Sequence, residues 1–82
     1  MRTQKKKNKN MGKFTIQVYG FGELAELYYP DRDYNSALRL FRKELRETRG
    51  LWPALQAVGY REKQKMLTRA QVRVIVQYLG DP

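Results

Sequence analysis

The sequence contains no cysteine and no histidine. Without cysteine, neither a disulfide framework nor a thiolate metal site can form. A zinc site would then have carboxylate ligands alone, which suit zinc poorly, so we expect no metal and no cofactor. The missing imidazole also removes the commonest general base, and it leaves Ser and Thr without the histidine that activates such nucleophiles. We therefore expect that the protein is not an enzyme.

Long apolar runs are missing as well. The run Val74–Val76 is short, and no stretch approaches the roughly 20 apolar residues of a membrane-spanning helix. The basic N-terminal residues are followed by no apolar segment of the kind that a signal peptide needs. We expect a cytoplasmic protein with no membrane partner.

Acidic residues are few relative to basic ones: eight Asp and Glu stand against 17 Lys and Arg, which gives a net charge of +9. Six of the 17 cations lie in the first 13 residues, which contain no acid, so 11 cations and eight acids leave the rest at +3. Residues 1–12 are also nearly devoid of apolar side chains, and we interpret them as a disordered basic arm. The arm would either grip a polyanion through Lys5, Lys6 and Lys7 or only keep the protein soluble.

Residues 13–82 are few enough for one domain, and their hydropathy pattern predicts a mostly helical α+β fold. Alternation of apolar and polar residues from Phe14 to Tyr19 predicts a short, half-buried strand. A capping box at Thr68–Gln71 and several Gly and Pro residues mark about four helices, at residues 23–28, 34–48, 51–58 and 68–80. A polar segment, residues 60–67, predicts a short strand or a β-turn before the last helix. This order is typical of a winged helix-turn-helix domain.

The second predicted helix carries the most informative pattern. Apolar residues at helical spacing predict its core-facing side: Ala37, Leu38, Phe41 and Leu45. Five cations fall together on another side: Arg39, Arg42, Lys43, Arg46 and Arg49. Arginine donates two bonds to guanine or binds phosphates, so this basic face is a candidate for contact with the major groove of DNA. The alternative is a solvated helix face with no partner.

Two further features bear on partners. Lys63 and Lys65, in the polar segment, resemble a wing that contacts the DNA backbone, although taken alone this segment is better interpreted as an ordinary polar connector. Val74 and Tyr78 form a second apolar side of the last helix, which is either fully buried or the seam of a homodimer. Aromatic residues would stack the bases of a single strand only if exposed beside cations, and most of them fall next to core positions.

Short segments resemble the DNA-binding half of MerR-type regulators and phage excisionases: Tyr19–Ala25, Ser36–Arg39, Gly59–Arg61 and Leu67–Val72. This resemblance implies a DNA-reading helix followed by a wing, although residues 51–58 add a helix where those families pass directly to the wing. Residues 14–82 as a whole are more similar to a small uncharacterised, DUF4248-like family of Bacteroides-type bacteria. The matching segments include Leu27–Pro30, Leu55–Tyr60 and Val76–Pro82. That similarity implies a bacterial single-domain protein and supplies no function.

These patterns predict a DNA-binding accessory or regulatory protein with a small winged helix-turn-helix-like fold. The second helix would enter the groove, the segment with Lys63 and Lys65 would form the wing, and the arm would track phosphates. RNA suits the same charge pattern. The alternative is a protein–protein interaction module that uses the second apolar side of the last helix. One continuous basic face would favour nucleic acid, whereas an exposed patch at Val74 and Tyr78 would favour a protein partner.

Overall fold

Four helices and one small antiparallel sheet make up residues 14–82, the part of the chain that the computed structural model describes. The basic arm predicted for residues 1–12, with Lys5, Lys6 and Lys7, lies outside the described residues. The elements in chain order are β1 (Tyr19–Gly20), α1 (Phe21–Tyr28), α2 (Tyr34–Glu47), α3 (Leu51–Ala57), β2 (Met66–Leu67) and α4 (Arg69–Leu79). The predicted mostly helical α+β fold is confirmed.

The N-terminal strand is much shorter than predicted. Only Tyr19 and Gly20 pair, antiparallel, with the two residues of β2. Val18, which the alternation places on the buried side, is 53% exposed. The reason lies in the partner: β2 follows a β-turn at residues 61–64 and ends at the N-cap of α4, so two residues are all it offers for pairing.

Most helix boundaries agree with the predicted ones to within one residue, but α1 begins at Phe21, two residues before its predicted start. Gly59 lies just beyond the end of α3 and adopts φ +81°, the left-handed conformation that favours glycine. Gly50 has the same φ and is the N-cap of α3, whereas α2 ends at Glu47. The capping box of α4 is confirmed, because the Gln71 backbone N–H donates to the Thr68 hydroxyl at 3.2 Å.

The core lies where α1 packs against α2, α2 against α3 and α3 against α4. The predicted apolar side of α2 is confirmed: Ala37, Phe41 and Leu45 are fully buried, and Leu38 is half-buried at the edge of the core. The Phe41 ring packs against aromatic rings of α1, with a centroid separation of 5.1 Å to Phe21. Because one side of α2 is occupied in this way, its opposite side is left to solvent.

A buried glutamine fixes the segment between α3 and α4. Gln71 is only 2% exposed, and its side-chain oxygen accepts hydrogen bonds from the backbone of Thr68 (3.0 Å) and from the amide of Gln64 (2.6 Å). Its amide nitrogen donates to the Val58 carbonyl at 3.1 Å. The Gln64 side chain in turn accepts a bond from the Arg61 backbone at 3.0 Å. The β-turn before β2 is therefore tied to the end of α3 and to the start of α4.

Candidate nucleic-acid interface

The cations of α2 line its solvent side. Residues at i, i+3, i+4 and i+7 lie on one side of a helix, and this spacing joins Arg39, Arg42, Lys43 and Arg46, all of them exposed. The fifth cation of the prediction, Arg49, does not belong to this helix face. It is exposed in the turn after α2, because the helix ends at Glu47. The prediction of one basic side is therefore correct for four residues and wrong for Arg49.

Two of these arginines lie over aromatic rings. The Arg42 guanidinium carbon is 5.1 Å from the ring centre of Phe21, and that of Arg46 is 4.9 Å from Trp52. Such cation–π contacts contribute about 0.5–1 kcal/mol at exposed sites. The arginine stems also shield apolar surface, which helps to explain why Phe21 is only 5% exposed. Sequence spacing gave no sign of these contacts, since each joins residues from different helices.

An ion pair connects α2 with the β-turn that precedes β2. The Arg46 guanidinium contacts the Glu62 carboxylate, and both side chains are about half exposed. It is the one salt bridge within residues 14–82, and the Lys43–Glu47 pair that helical spacing permits is not formed. An exposed pair contributes at most about 1 kcal/mol. Its importance is geometric, because it holds the turn beside the basic side of α2.

The β-turn itself presents cations. The Gln64 backbone N–H donates to the Arg61 carbonyl at 3.0 Å and closes the turn, and Lys63 occupies the left-handed region at φ +72°. Lys65 is the next cation along the chain, and its backbone carbonyl accepts a bond at 2.7 Å from the Phe21 backbone N–H. We call the combined cations of α2 and the turn the α2–turn surface: Arg39, Arg42, Lys43, Arg46, Arg61, Lys63 and Lys65.

The Tyr60 hydroxyl reports how close these charges lie to one another. Burial raises the pKa of Tyr60; Arg42 and Arg46 oppose this shift, and Glu62 reinforces it. The Tyr60 ring also packs edge-on against Trp52, with ring centres 5.6 Å apart. Two arginines of α2 and the acid of the turn therefore act on the same hydroxyl, in agreement with the Arg46–Glu62 contact between helix and turn.

Glu44, one of the two acids of α2, lies away from this surface. The Glu44 carboxylate accepts a bond from the Tyr29 hydroxyl at 3.3 Å, on the side that faces α1. Burial, followed by the charge of Glu44 and this bond, raises the pKa of Tyr29. One acid of α2 is thus engaged with a neighbouring residue, and it does not neutralise the exposed cations.

The second apolar side of α4 is only partly open. Val74 packs against the core and is half-buried, whereas Tyr78 is 43% exposed. The Tyr78 ring lies over the turn between α2 and α3: a Cβ placed on Gly50 would come within 3.2 Å of it. The two residues named for a homodimer seam therefore do not form one exposed patch.

Residues 14–82 contain no group of three or more acidic side chains placed to bind a metal. Within the same residues, no helix is both long and apolar enough to cross a membrane. The α2–turn surface remains the most distinctive chemical feature of the described chain.

Comparison with known proteins places the chain in a family. No curated protein and no solved structure matches it. The resemblance to MerR-type regulators and excisionases is not confirmed by these comparisons. Residues 15–82, nearly the whole described region, match the sequence profile of DUF4248, a domain of unknown function. The chain therefore belongs to the DUF4248 family, as the similarity of residues 14–82 indicated.

Proposed function

We propose that the protein binds nucleic acid, duplex DNA in particular, through the α2–turn surface. One observation carries the proposal: the cations of α2 and of the turn meet on one side of the fold. The Arg46–Glu62 contact joins the helix to the turn. A positive surface that follows two elements matches the charge pattern of a polyanion backbone.

The conformation of Lys63 supports the same function. Non-glycine residues with positive φ are uncommon, and glycine or asparagine would occupy this position with less strain. The residue is a lysine at the tip of a turn that two glutamines hold in place. A strained residue with a charged side chain at a fixed position is typical of binding sites.

In this proposal, α1 and α2 take the places of a helix-turn-helix pair, and the turn at residues 61–64 takes the place of a wing. Lys5, Lys6 and Lys7 would add phosphate contacts from the arm. The function would be that of a DNA-binding accessory or regulatory protein of the bacterial cytoplasm.

The alternative is a protein-interaction module that uses Val74 and Tyr78. It requires an exposed apolar patch, and half-burial of Val74 leaves Tyr78 as the main exposed part of that side. The exposed cations of α2 and of the turn that Arg46 contacts support nucleic acid over this alternative.

The test is fluorescence anisotropy of a duplex of random sequence, titrated with the full-length protein. Arg42 and Arg46 are poor choices for substitution, because their loss would also uncover Phe21 and Trp52. Arg39→Gln with Lys43→Gln removes two charges from α2 and leaves those rings covered. The matched control, Arg69→Gln with Arg73→Gln, removes two exposed charges from α4.

We expect the α2 double variant to bind several-fold more weakly than the α4 control, because each lysine or arginine that contacts a phosphate also contributes counterion release. A triple variant measures how much of the affinity for the duplex depends on the arm: Lys5→Gln, Lys6→Gln and Lys7→Gln. Equal losses from the α2 and α4 variants would show that only net charge matters, and the proposal would then fail.

A further inference from the structure

The aromatic rings beside the α2–turn surface are already covered. Phe21 is nearly buried, with the Arg42 guanidinium over its ring at 5.1 Å and the Phe41 ring tilted against it, also at 5.1 Å. Trp52 has Arg46 over its ring and Tyr60 packed edge-on against it. Proteins that bind single strands offer open aromatic faces on which bases stack. This surface offers guanidinium groups in place of such faces.

The start of α2 is unsuited to entering a groove. Recognition helices contact base edges mainly with their N-terminal residues. Here the helix is preceded by three exposed charged residues, Asp31, Arg32 and Asp33, with a net charge of −1, and the first cation of the helix itself is Arg39, in the second turn. The exposed Asp33 carboxylate directly at the start of the helix is charged at neutral pH and repels phosphates. The helix would therefore approach a duplex with its side and not with its N-terminal end.

The two central arginines are also held back from the bases. The major groove is about 8.5 Å deep, and an arginine must extend to reach guanine at its floor. Arg42 and Arg46 are folded down onto rings, and Arg46 is bound to Glu62 as well. Both side chains are nevertheless exposed, so phosphate oxygens can accept from Arg42 and from those N–H groups of Arg46 that Glu62 does not occupy.

We infer that the α2–turn surface binds the phosphate backbone of duplex DNA and does not read its sequence. The inference rests on the proposed function and names the part of the partner that is bound. Backbone contacts position a protein and supply affinity, and they carry no direct sequence information. Specific target sites are then not expected for this domain acting alone.

The experiment uses the full-length chain with Lys5, Lys6 and Lys7 all changed to Gln, so that the arm does not mask the folded surface. Three probes of equal length are titrated: an A·T duplex, a G·C duplex and an oligothymidine strand. Anisotropy gives the affinities. The emission of Trp52, the only tryptophan in the chain, reports whether bases stack beside Arg46.

We expect the two duplexes to bind with affinities within about twofold of each other, and the single strand to bind more weakly without quenching Trp52. Lys43→Gln in this background should weaken both duplexes equally and reduce the slope of log affinity against log salt by about 1. A preference of about tenfold or more between the duplexes would show base reading and overturn the inference. Tighter binding of the single strand with quenching of Trp52 would overturn it as well. Failure of all three probes to bind would instead refute the proposed function.

Discussion

Replacing Glu62 by glutamine should change stability and nucleic-acid affinity in opposite directions. The Arg46–Glu62 pair is about half exposed, so its loss should lower the free energy of unfolding by about 0.2–1 kcal/mol. In a domain of this size that corresponds to a fall in Tm of roughly 1–8 °C. The same change releases Arg46 from an anion that competes with phosphate. Affinity for duplex DNA should rise by a factor of about 1.4 to 5, which is the same free energy expressed as a binding ratio.

Glu47→Gln is the matched control for this prediction. It removes the same charge from the same side of the fold, but Glu47 forms no salt bridge within residues 14–82. Because Glu47 is the last residue of α2, where the helix dipole disfavours an anion, its neutralisation should not destabilise the protein. Thermal unfolding and anisotropy titrations at one salt concentration measure both effects. If Glu62→Gln and Glu47→Gln raise affinity equally, the ion pair does not restrain Arg46 and the reasoning is refuted.

Three further predictions concern stability. Gln71→Ala should lower the free energy of unfolding by about 1–3 kcal/mol, because it leaves part-buried hydrogen-bonding groups without their partner. Gln77→Ala, on the exposed side of the same helix, should lower it little, and similar losses in urea unfolding would contradict this. Gly59→Ala should lower the free energy of unfolding by about 1 kcal/mol, because of its positive φ alone. Gly50→Ala should lower it further, because the added Cβ also meets an aromatic ring, and the reverse order would contradict this prediction. Burial, and then the charge of a nearby acid, raises the pKa of Tyr28 in the folded protein. The stability that this shift contributes is complete below pH about 10, the usual pKa of tyrosine, and is lost as the pH rises above that value. Tyr28→Phe should therefore lose stability less steeply than the wild type in alkaline unfolding curves, and parallel curves would show that this tyrosine is not responsible.

Local signals in the sequence were enough to predict the helices. The spacing of Ala37, Phe41 and Leu45 identified the buried side of α2, and the pair Thr68 and Gln71 identified the start of α4. Each of these signals acts within a few residues, through side-chain direction or a capping bond. It therefore depends little on how the rest of the chain folds.

The strand prediction failed because strand pairing depends on a distant partner. Residues 14–18 have the composition of a strand, yet β2 offers only two residues to pair with. Alternation of apolar residues predicts extended backbone, but it does not show whether a neighbouring strand of equal length is available for pairing. The exposure of Val18 is the consequence.

The candidate site was predictable only in part. Helical spacing placed four cations on one side of α2, but it extended the set to Arg49, beyond the point where the helix ends. The contacts of Arg42 with Phe21 and of Arg46 with Glu62 join residues far apart in the chain. No periodicity connects such residues, so the meeting of helix and turn became visible only in the folded protein.

The most direct test of the central claim is residue-by-residue NMR of the ¹⁵N-labelled full-length protein during titration with duplex DNA. The account predicts the largest chemical-shift changes along the exposed side of α2, in the turn around Lys63 and at the Trp52 indole N–H. It predicts small changes at Tyr78. Shifts confined to residues 1–13, or centred on Tyr78, would contradict the claim that the α2–turn surface binds nucleic acid.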